Sequence, residues 1–391
     1  MQGRIGQSAA LVLVLVGVAG AQPPVRRSGS GQWEREVKGT VSAAGVERLK
    51  LLSPGRVTMR PATGRRDEIS YVWTQRIRAR DDAEARARFA RIQVDSQFGN
   101  GWCVLNANGA DLLQSELTIS VPAALRQYVL QLAGGGASVR GLRGEVMAST
   151  GSGSIEMDEI SGDVTVRTGG GALQFGRIGG ALRCLSGGGT IRADRVGGEA
   201  VLETAGGEIW IRESGGAVRA ATAGNIHIGK AGGMVSAHSA GGLIEVEEAA
   251  GVVTAETASG PIVIGSARGL RADTANGSIR ATRVTGVIRA ATLSGSIFVG
   301  LGADQPLGNS FLSSGRGDIT VTIPAGVGVM VKALNETGSW YSRIVSEFPE
   351  VQGRQAAGRG RPVLAQGAIQ GGGPALMLSV SNGAVYLKRA K

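Results

Sequence analysis

The chain has 391 residues, a formal net charge of +11, two cysteines and two histidines. Sixty-five glycines would suggest disorder in a chain without a period; here they recur on one, which points to a folded repeat protein. Aromatic residues are only 4% of the chain, too few for the stacking surfaces that read single-stranded nucleic acid, so specific nucleic-acid recognition is excluded.

Residues 1–21 read as a secretory signal peptide. Arg4 supplies the positive start, residues 9–18 are a short apolar run, and Ala19-Gly20-Ala21 offers small residues for cleavage. The run is too short for a comfortable membrane span, and no second one follows. An exported protein of the periplasm or cell surface is expected, with no transmembrane span in the mature chain. Residues 22–32, with Pro23-Pro24 and Ser28-Gly29-Ser30, read as a linker.

Residues 33–132 lack the repeat and read as a β-rich N-terminal cap. Strands are expected over 68–78, 102–107 and 117–122, the last stopped by Pro122. One helix is predicted from Asp81-Asp82 through Ala90, with acids in its first turn and arginines after them.

Residues 133–301 repeat a phrase of glycine, one residue, then apolar–any–apolar, every 17 or 18 positions. The glycines are Gly153, Gly171, Gly189, Gly207, Gly224, Gly242, Gly260, Gly277 and Gly295, each two residues before an isoleucine or leucine. Ile209-Trp210-Ile211 and Ile226-His227-Ile228 show the in–out–in alternation of a first strand. A second strand follows, as in Val218/Ala220 and Val253/Ala255, usually introduced by its own glycine, with Arg268 the exception. Both corners call for positive φ or close backbone approach. A Thr/Ser column from Thr150 to Thr292 closes each coil and reads as structural. One coil cannot bury its own apolar side, so coils must stack. The fold predicted is all-β: a single-stranded parallel β-solenoid (β-helix) of about ten coils, with β-rich N- and C-terminal caps.

Residues 302–391 read as an irregular last coil around 317–321, a mobile Gly/Arg-rich loop over 352–373, and C-terminal cap strands. The last pair, 375–380 and 384–388, is expected as a closing hairpin or cap about Asn382-Gly383.

The strand 117–122, the recurrent Ser/Thr-x-Gly-x-Ile phrase, the segment 314–324 (SGRGDITVTIP) and the closing 382–387 (NGAVYL) together resemble the bacterial DUF4097 family of adhesin-like, β-strand repeat proteins. The resemblance spans most of the chain after the signal. It implies an exported β-solenoid and an adhesin-like role, and it brings no catalytic residues.

Solenoids can host polysaccharide lyases and hydrolases, whose sites need converging carboxylates. The register places His238, Glu256 and Asp273 on successive coils, with the two carboxylates about 5 Å apart. An exposed turn row, in which polar residues are free to vary, explains them better, so no catalytic residue is assigned. Trp210, His227 and Glu245 form an outward row that could meet a sugar or peptide. Arg183, Arg219, Arg271 and Arg289 share the outward position of the second strand and could engage an anionic envelope polysaccharide. Arg316-Gly317-Asp318 spells an integrin-type tripeptide, but the repeat phrase already explains two of its letters. Cys103 and Cys184 could pair after export, although Cys184 falls on an inward position. Two cysteines and two histidines lack metal-site spacing, so no metal or cofactor is expected.

The function expected is a non-catalytic exported adhesin-like scaffold making weak multivalent contacts with envelope or surface polymers. The alternatives are a polysaccharide-active β-helix enzyme, or an envelope assembly or stress-response component with a protein partner.

Overall fold

The computed structural model describes residues 12–15, 23–64, 67–109, 112–337, 343–355 and 362–390. The chain is an all-β parallel β-solenoid of about 11 turns, close to the ten expected. It divides into two compact units, Met1–Thr190 and Ile191–Lys391. The predicted helix is present as α1 (Asp82–Phe89), capped by the Asp81 carboxylate, which accepts from the Glu84 N–H at 2.8 Å.

In the first unit the repeat coils stack in parallel register, Ile155 on Leu173 and Val164 on Leu182. The non-repeat segment is built into that stack. Strand Arg48–Ser53 lies between Trp102–Asn108 and Gln127–Leu132, parallel to both. Arg56–Pro61 lies likewise between Gln114–Val121 and Ala137–Arg140. The coil of residues 48–61 therefore comes from far earlier in the chain than the neighbour on one side, 102–121, and the neighbour on the other, 127–140. Antiparallel strands Gln32–Ser42 and Glu68–Arg78 extend this end, as does the pair Gln93–Gly99 and Trp102–Asn108. Such pairing satisfies edge groups that would otherwise invite strand addition.

One expectation for this region needs correction. The 22–32 linker contains strand Val25–Gly29, which pairs antiparallel with Gln32–Ser42 because Gly31, at φ +67, allows a tight reversal. Cys103 and Cys184 are free and buried, in keeping with the inward position of Cys184. Of the expected signal segment only Val12–Leu15 is described, as a strand antiparallel to Gln93–Gly99; the rest lies outside the described residues.

The second unit has the same plan at its C-terminal end. Strands Ala375–Asn382 and Val385–Arg389 stack in parallel on Ser310–Arg316 and Ile319–Ile323. Strands Val329–Asn335 and Ile344–Ser346, earlier in sequence, lie beyond them. Of the hairpin or cap expected here, the hairpin is not formed: the two strands make one more coil. Gly383 holds the repeat's glycine position, where a Cβ would stand 2.3 Å from the Gly317 carbonyl oxygen. The expected loop 352–373 also proves largely ordered: Gln352–Gln355 and Val363–Ile369 pair antiparallel. Val363, Ala365 and Ile369 are buried there, and this apolar anchoring outweighs the segment's glycine content. Residues 356–361 lie outside the described residues.

The repeat glycines answer close approach rather than positive φ. A Cβ on Gly260 would stand 1.9 Å from the Gly242 carbonyl oxygen on the coil beneath. The Thr/Ser column ties the same corner. Thr257 Oγ1 donates to the Gly242 carbonyl at 3.2 Å and accepts the Gly260 N–H at 3.3 Å. Thr150, Thr168, Ser186, Ser239 and Thr274 repeat this pair of bonds. Each hydroxyl therefore satisfies a backbone donor and acceptor at a bend the ladders leave open. Where Arg268 replaces a corner glycine, Gly269 takes the positive φ of +132.

Candidate functional site

The first strand of each coil does not end with its in–out–in triplet. After two outward residues a further side chain turns inward: Val196, Ser214, Ala231, Ala249, Ala267 and Val284 in the second unit. The five-residue step from Ile209 to Ser214 marks a bend within the strand, and strict period-2 reading passes over it. Along this bend the outward row reads Arg212, Gly229, Glu247, Gly265 and Thr282. The glycines of that row and the small inward residues beneath hollow the surface. The result is an open groove of about 1000 Å³ lined by Trp210, Arg212, His227, Lys230, Glu247 and Arg283, among others.

Its best-defined feature joins two residues singled out in the sequence. The Trp210 and His227 rings lie parallel, 6° between planes, with centroids 6.1 Å apart. Strand register sets Trp210 beside His227 and His227 beside Glu245. His227 Nδ1 is 3.0 Å from Glu245 Oε2, and its Nε2 is 3.4 Å from Glu247 Oε1. Both ring nitrogens thus face carboxylates, which fixes the ring's orientation. Lys230 and Glu248 pair at 3.3 Å further along. Among the described residues Arg212 and Arg283 make no ion pair, and both are exposed. They stand four strand steps apart, roughly 19 Å, at opposite ends of the groove. Sequence reading missed both arginines; the alternation of glycine with large polar residues at the bend marks the row of Arg212, and Arg283 stands in the adjoining row with Lys230, Glu248 and Ser266.

The same outward lane continues as Val263, Arg280, Phe298, Thr320 and Tyr386. Arg280 lies over the Phe298 ring at 5.0 Å.

The other predicted arginines are less unified. Arg271 and Arg289 are direct neighbours, but Ser236 and Thr254 separate them from Arg219. Arg219 pairs with Glu199 at 3.3 Å and Arg271 with Asp273 at 3.2 Å. Arg183 lies in the first unit, beside Thr165.

The acid row lines a second hollow of about 680 Å³ with His238, Glu256 and Asp273. Ser236 Oγ is 3.0 Å from His238 Nε2, and His238 Nδ1 is 3.3 Å from Glu256 Oε2. That is the connectivity of a serine–histidine–acid triad. The strand bearing Ser236 and His238 is laddered on both sides, however, so its neighbouring backbone donors are engaged rather than free to hold an oxyanion. Arg271 also draws on Glu256, at 3.8 Å. No group of three or more His, Cys, Asp or Glu side chains suited to a metal occurs among the described residues. No helix among them is long and apolar enough to cross a membrane.

No protein-family profile matches the chain, so the resemblance to the DUF4097 family has no such match behind it. No curated protein sequence matches either. The chain is similar to solved structures of three candidate adhesion proteins. One, a cell adhesion protein from Clostridium sporogenes, is aligned over 91% of this chain and 100% of its own, at 10% identity and a TM-score of 0.19. An adhesin from Bacteroides fragilis is aligned over 91% and 97%, at 12% identity and 0.24. Another from Parabacteroides distasonis is aligned over 90% and 97%, at 9% identity and 0.24. Overlap this slight carries no argument about function.

Proposed function

We propose that this protein is an exported, adhesin-like, non-catalytic binding scaffold whose groove along the strand bend takes a segment of an anionic surface or envelope polysaccharide. The observation that carries the reading is the pair Arg212 and Arg283, unpaired guanidiniums bracketing an open groove furnished with a fixed Trp210–His227 ring pair. Free guanidiniums offer bidentate donors to carboxylate or sulfate groups. The ring edges and the carboxylates of Glu245, Glu247 and Glu248 suit hydroxyl-rich chain between the charges. A rigid repeat frame allows weak contacts to add along a polymer. The chain's net charge of +11 favours the same partners. DUF4097-like residues and the signal-like N-terminus support export.

The test is retention of the purified chain on acidic and neutral polysaccharides at low and high salt. Arg212→Gln with Arg283→Gln should weaken acidic-glycan retention at least tenfold while leaving the fold intact. Release of shortened glycan would instead favour an enzyme, and Ser236→Ala would then show whether the exposed triad is responsible.

A further inference from the structure

The outward sheet face at the C-terminal end of the second unit differs in character from the groove. Strands Ile288–Ser294, Ser310–Arg316, Ala375–Asn382, Val329–Asn335 and Val363–Ile369 lie side by side in that order. One row across them reads Arg289, Phe311, Met377, Lys332 and Gln366. Phe311, Met330 and Met377 are 44%, 45% and 43% exposed, and Leu364 is 36% exposed. Large apolar side chains are exposed at other points of the solenoid too, among them Met234, Val252 and Leu293, but here four share one sheet face. Exposed apolar side chains gathered on one face in this way favour an interaction site.

The charges at the face are mainly basic. Arg289 and Lys332 make no ion pair among the described residues, and no acid interrupts their row. Glu336 lies toward the rim, accepting from the Ser379 and Ser381 hydroxyls at 3.1 and 2.7 Å. This combination selects among occupants. Two copies packed face to face would set four cations against two Glu336 carboxylates that serine hydroxyls already engage. A soluble acidic glycan would answer Arg289 and Lys332 but leave the phenylalanine and methionines against water. An anionic lipid surface meets both needs, with headgroups at the cations and the acyl boundary at the apolar tips. We propose that this face docks on anionic lipid bilayers, independently of the glycan groove.

The experiment is co-sedimentation of the purified full chain with vesicles of phosphatidylglycerol and phosphatidylcholine, against phosphatidylcholine alone. Binding to the anionic vesicles should exceed binding to the neutral ones at least tenfold and weaken with salt. Phe311→Ser with Met377→Ser should lower anionic-vesicle binding at least tenfold, and Arg289→Gln with Lys332→Gln should remove the preference for anionic lipid. These positions are exposed, so the variants should fold, as circular dichroism can check. Phe311→Trp adds a direct readout, a blue-shifted indole emission when anionic vesicles are added. Retention on acidic glycan through Arg212 and Arg283 should not change in any of these variants. Equal pelleting of wild type and both double variants would overturn the proposal. So would an indole emission that vesicles leave unmoved, or self-association that Phe311→Ser abolishes while lipid binding is absent.

Discussion

Gly260→Ala, compared with Gly241→Ala, separates a glycine required by coil stacking from one that merely occupies a turn. At Gly260 the new methyl would lie 1.9 Å from the Gly242 carbonyl oxygen, against the 3.0 Å that real contacts respect, so two backbones must part by about 1.1 Å. No side chain can rotate to relieve this, because the obstacle is main chain. Overpacking of this kind costs about 1–3 kcal/mol. The shift also pulls on both Thr257 hydroxyl bonds and on the bond from Thr274 to the Gly260 carbonyl, each worth about 1 kcal/mol. The expected loss is about 3–5 kcal/mol. At Gly241 nothing stands within 4 Å of the added methyl and φ is not positive, so the substitution should change stability by no more than about 0.5 kcal/mol. Urea unfolding followed by circular dichroism reads both. A Gly260→Ala protein within 0.5 kcal/mol of wild type would show that coil spacing does not impose the glycine column.

Ile209 is fully buried, so Ile209→Asp should cost several kcal/mol and leave the second unit open to protease; a protease-resistant variant would contradict the inside–outside assignment. Thr257→Val keeps the shape but strips the corner of one donor and one acceptor, a loss of about 1–3 kcal/mol in urea unfolding that Thr257→Ser should largely restore. Burial pushes the Cys103 thiol up to about 12 and raises Cys184 as well. Thiols titrate near 8.5 when unfolded, so the folded state holds these protons more tightly. Their contribution to stability is then complete below about pH 8.5 and declines as pH rises toward 12. Denaturation midpoints at pH 7 and pH 10 should differ, and the difference should shrink in the Cys103→Ala, Cys184→Ala double variant.

Glycine and isoleucine spacing made the solenoid legible because coil stacking leaves little freedom at those positions: Gly260 meets backbone and Ile209 meets core. Asp81 and the acids after it likewise announced α1 through local capping alone. What the sequence concealed was non-local. That residues 48–61 supply a coil between 102–121 and 127–140 depends on which strands satisfy one another at an end of the stack. The same holds for 375–389, where Asn382-Gly383 looks like a hairpin turn but Gly383 repeats the Gly260 approach. At the site, register was enough to place His227 between Trp210 and Glu245. The groove was not legible, because the bend that brings Ser214 inward breaks the alternation and separates the roles of Arg212 and Arg283. The four stripe arginines share a register position, yet ion pairing with Glu199 and Asp273 engages two of them, and pairing of long side chains is not written in spacing.

The central claim is that the groove between Arg212 and Arg283 binds an anionic polysaccharide without cleaving it. The most direct measurement is calorimetric titration of the purified chain, wild type and Arg212→Gln/Arg283→Gln, with acidic glycan fragments long enough to span the two arginines, sizing the fragments afterwards. Salt-sensitive binding that the double variant loses, with fragments unchanged in length, is the predicted result. Equal binding by both proteins, or fragments shortened by the wild type, would contradict it.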